Sequence, residues 1–328
     1  MQLQTKALYN LLRINYLEDD NLEYEPWQVE DFRLVTSEEI FERLKQLSLP
    51  LDSSQFLSIS EKVDTPEEMT EILLKNHREV DDHDQIYLLI FELFRRFSPY
   101  KVSLSILCDE LDYRISQYDQ GELSSDESIQ DVLAHLQKVL YENVDSGVKP
   151  LDVMCTLGGY CAHDLESFLY DYITEQIEGC YHSYARELLE DFHLYISNVK
   201  RLDFLKIRLC QDVGEANRML EMLIKGLKEA PQVGLQLEIL RFMVQVSYHP
   251  LFMELLLYTF PKLQLEEDFQ EIMEITSDYY RRLDLEEIEK SIQKIMQRRT
   301  RQNLTDELNP EDPDMREFIC LFSNKNSL

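Results

Sequence analysis

The chain has 328 residues, 44% hydrophobic and 10% aromatic, with only 8 Gly and 10 Pro, a composition that excludes collagen-like and low-complexity chains and leaves most of the length for helices. Its 63 acidic against 33 basic residues give a formal charge of -30, which repels phosphate backbones and anionic lipid and argues against nucleic-acid or membrane-surface binding. The 6 cysteines are too irregularly spaced for a disulfide scaffold, and the opening "MQLQTKALYNLLRINYLEDD" lacks a signal peptide's basic start and apolar centre, so a reducing cytoplasm is the expected compartment.

Helix punctuation is legible early. Thr36 followed by Glu39 forms a capping-box pattern ahead of Ile40, Leu44 and Leu47, and the segment stops before Pro50. Only "QFLSIS" at 55–60 hints at a strand, and one short strand makes no sheet. Thr65, Pro66 and Glu68 then supply a capping threonine, a proline where no amide hydrogen is needed, and a glutamate placed to cap back. From Asp84 to Phe97 apolar residues surround the helix, which predicts a buried, central element ending at "SP" before Tyr100. Leu104, Leu107, Leu111 and Ile115 mark the next helix, and "YDQGELSSDES" at 118–128 is the clearest polar linker. Ser124 with Glu127 caps a helix bearing Ile129, Leu133, Leu136 and Leu140 that stops near Gly147.

Beyond Pro150, helical spacing runs over 150–157, 164–178, 180–199, 203–211, 215–229, 233–247, 250–260, 266–282 and 284–301. Connections this short favour antiparallel neighbours, and no repeat signature is present, so the expected fold is all-α: an irregular antiparallel bundle or degenerate helical-hairpin stack of about 12 to 15 helices. The expected organisation is a helical subdomain over 1–118, a polar linker over 119–128, a second helical subdomain over 129–302 and a loosely ordered acidic tail over 303–328, with Phe318, Ile319 and Leu321 available to dock back. The strongest apolar runs, "IYLLIFELF" at 86–94 and "LFMELLLYTF" at 251–260, each carry a glutamate and fall well short of the roughly 20 residues a spanning helix needs. The last helix begins with Glu286, Glu287 and Glu289 and ends with Lys294, Arg298, Arg299 and Arg301, the charge order the helix dipole favours.

No P-loop, dinucleotide fingerprint, GxSxG, HExxH, CxxC or EF-hand spacing occurs, and no cofactor is expected. Two triplets stand out: "CAH" at Cys161 to His163 and "CYH" at Cys180 to His182, which together hold the thiolates and imidazoles of a Cys2His2 zinc site. Helical geometry opposes it, because residues two apart point roughly 200° apart around the axis. A second candidate is the ExxH pair Glu190 and His193, one of the two such pairs that a carboxylate-bridged di-metal bundle uses together with a glutamate from each of two further helices. Cys108 and Cys210 follow apolar residues at helical spacing and read as buried, inert thiols. The 18 tyrosines cluster at 170–172, 181–184 and 278–280, where rigid rings with polar tips suit a contact surface.

The function expected from this balance is a non-enzymatic cytoplasmic interaction module, an adaptor or regulator offering an acidic, tyrosine-rich helical surface to a basic or amphipathic segment of another protein. The alternatives are a metal-binding protein or enzyme using the Cys/His/Glu cluster at 155–193, and a self-assembling structural subunit.

Overall fold

The capping threonines act as their spacing predicts. Thr36 Oγ1 accepts the Glu39 amide at 3.2 Å and opens α1 (Ser37–Gln46), and Thr65 accepts the Glu68 amide at 3.1 Å and opens α3 (Pro66–Leu74). The Glu68 carboxylate reaches back one residue further than a capping box requires, to the Asp64 amide. Between them, 53–60 is not extended. Asp52 and Gln55 cap each other reciprocally and start α2 (Ser53–Ser60), so local capping overrides the alternating pattern of "QFLSIS".

The computed structural model describes residues 23–75, 83–101, 103–123, 127–246, 249–309 and 311–323. The Ser124 cap and the first 22 residues lie outside them. Among the described residues there are sixteen α-helices, three short 3-10 turns and no strand beyond one isolated bridge between Leu265 and Glu307. The fold is all-α. No helix among the described residues is long and apolar enough to cross a membrane.

The chain divides into two compact units at Ser197 and Asn198. In the first, α4 (His83–Phe97) is the central element expected: Ile86 and every residue from Leu88 to Phe94 are buried, and α1 and α3 pack against it. Its Arg96 donates to the carbonyls of Phe32 and Val35 at 2.8 and 2.7 Å, fixing the entry turn. Lys101 caps the C-terminal end of α2 by donating to the Ser60 carbonyl at 2.8 Å. Then come α5 (Leu104–Asp119), α6 (Glu127–Asp145), α7 (Pro150–Gly158), α8 (Leu165–Glu178) and α9 (His182–Phe192). α5 packs on α6, α6 on α7 and α8 on α9. The polar stretch 119–128 therefore joins two helices in contact, and the division between units falls at 197/198.

The second unit comprises α10 (Val199–Leu209), α11 (Val213–Glu229), α12 (Val233–Val246), α13 (His249–Thr259), α14 (Glu266–Arg282), α15 (Glu286–Arg299) and α16 (Pro313–Ser323). Lys200 caps α11 as Lys101 caps α2, donating to the Gly226 and Ala230 carbonyls at 2.8 and 2.7 Å. The Phe252 and Tyr279 rings stack at 3.7 Å in its core. The segment expected to be a loose tail is folded over 303–309 and 311–323. Met315, Phe318 and Phe322 of α16 enter the core, with Ile319 and Leu321 partly buried against it. Phe318 sits 5.4 Å from Phe260 and 5.7 Å from Phe269. The physical reason is Arg299, which is buried and bonded to Glu266, Asp312 and Asp314. The basic end of α15 thus binds the acids that follow it.

Candidate functional site

The first CxH triplet leaves α7 through Gly159 and lies against α5. Cys161 is buried beside the Cys108 thiol, and hydrogen bonding to Cys108 together with burial holds the Cys161 thiol well above its ordinary range. A thiol kept protonated is a poor nucleophile. His163 is pinned by Asp112: Nδ1 lies 2.9 Å from Oδ1, and the carboxylate also accepts the Ala162 and His163 amides at 2.9 and 3.0 Å. A carboxylate only accepts, so Nδ1 carries a proton, and Nε2 lies 3.3 Å from the Ser116 hydroxyl. Carboxylate, imidazole and hydroxyl stand in the order used for acyl transfer. However, both amides of this turn are donated to Asp112, leaving neither to stabilise an oxyanion, and Ser116 sits within regular helix. The arrangement positions the turn.

The second triplet is a helix stop. Cys180 adopts φ 66°, its amide bonds the Ile177 carbonyl at 3.1 Å, and the Tyr181 amide bonds the Gln176 carbonyl at 2.8 Å. That is a Schellman motif, with Cys180 where glycine is usual. Cys180 and His182 are both exposed. His193 caps the end of α9 through Nδ1, 2.6 Å from the Glu190 carbonyl oxygen of the backbone, so that ring nitrogen is engaged by the turn. Among the described residues, no three His, Cys, Asp or Glu side chains gather as a metal site.

The tyrosine clusters are mostly core. Tyr170, Tyr172, Tyr279 and Tyr280 are buried, whereas Tyr181 is 64% exposed. Burial pushes the Tyr279 and Tyr280 hydroxyls up to about 12.

What the His163 turn does build is a half-open cavity of about 200 Å³ between the end of α5 and one face of α8. Phe168, Asp171, Tyr172 and Glu175 recur at helical spacing along α8, so they form one stripe, facing Ile115, Tyr118 and Asp119 of α5. Phe168 and Tyr172 stack at 5.8 Å, and Tyr118 meets them edge-on at 6.1 and 5.3 Å. Four carboxylates, Asp119, Asp164, Asp171 and Glu175, stand around this aromatic wall, and among the described residues no lysine or arginine lines it. Asp164 is engaged in capping α8, accepting the Glu166 amide at 3.0 Å and the Ser167 hydroxyl at 2.8 Å. Glu175 accepts the Tyr118 hydroxyl.

Sequence reasoning found His163 but not its partners. Asp112 had one signal: it falls one turn after Cys108 on the face that Leu104, Leu111 and Ile115 bury, and a carboxylate there must find donors. Comparison with protein-family models, curated proteins and solved structures gave no match to this chain.

Proposed function

We propose that the chain is a cytoplasmic protein–protein interaction module, an adaptor or regulator, that docks a basic segment of a partner on the acidic face of its first unit. The observation that carries this is the cavity between α5 and α8, where four carboxylates surround an aromatic wall with no lysine or arginine among its described lining residues. Such a site attracts cations electrostatically. The net charge of -30 speeds encounter with a basic partner and repels acidic ones. All six cysteines are free thiols, which suits a reducing compartment.

The test is capture from native extract at low ionic strength, followed by reconstitution with the purified partner. A stoichiometric complex on size exclusion supports the reading. Failure to retain any protein, or retention only of acidic partners indifferent to salt, contradicts it.

A further inference from the structure

We draw no further inference here: the strongest candidate, the pair of buried thiols Cys108 and Cys161 between α5 and the turn that follows α7, carries nothing, because burial holds the Cys161 thiol protonated and no third His, Cys, Asp or Glu among the described residues completes a metal site with it.

Discussion

Asp112, buried in α5, holds both the imidazole and the backbone of His163, with Oδ1 2.9 Å from Nδ1 and 3.0 Å from the amide nitrogen. One carboxylate therefore fixes the turn that floors the cavity, and Asp112→Ala leaves the Ala162 and His163 amides without that acceptor. We expect it to cost about 2–4 kcal/mol in urea unfolding, and His163→Ala to cost less, because it removes a donor and keeps the backbone bonds.

Asp109 gives the first unit a pH signature. Burial pushes its carboxyl up to about 6 although Arg33 pairs with it. The folded state thus binds this proton more tightly than the unfolded chain, so the contribution is complete below the ordinary aspartate value and is lost as pH rises through about 6. Stability of the unmodified chain relative to Asp109→Asn is expected to fall between about pH 4 and pH 6. Parallel pH profiles for the two proteins would contradict this.

Thiol labelling sorts the cysteines by burial. Cys155, Cys180 and Cys320 are exposed, whereas Cys108 and Cys161 are buried. A chromogenic disulfide reagent is expected to modify the exposed three rapidly and the Cys108–Cys161 pair only on unfolding. Rapid labelling of Cys161 in the native protein would show that the turn is not packed as described.

The C-terminal helix is tested at Phe318, which is fully buried among Phe260, Phe269 and Phe322. Phe318→Ala is expected to cost about 3–5 kcal/mol by calorimetry or denaturant titration. Near-neutral behaviour would mean that α16 does not belong to the core of the second unit.

These cases mark what could be read in the sequence. Helix starts such as Thr65–Pro66 and Thr36 are set by residues three apart, so cap and helix are legible together. The acidic segment after Asn303 gave the opposite impression, because charge alone suggests solvated chain. Its order depends on Arg299 reaching Glu266 and Asp312 at once, and the first of those lies 33 positions away. The same distance problem hid Asp112, 51 positions from His163. The helix-end role of "CYH" was hidden for a local reason: Cys180 holds the left-handed position of its Schellman motif, and the glycine, Gly179, stands one residue earlier as the cap.

The most direct test of the account is the affinity of the reconstituted partner complex at several ionic strengths, for the unmodified chain and for a D119N/D171N/E175Q variant with the same melting behaviour. The account predicts that binding weakens steeply with salt in the unmodified chain, and that neutralising the three acids costs at least about tenfold and flattens the salt dependence. Equal affinity and equal salt dependence in the two proteins would contradict it.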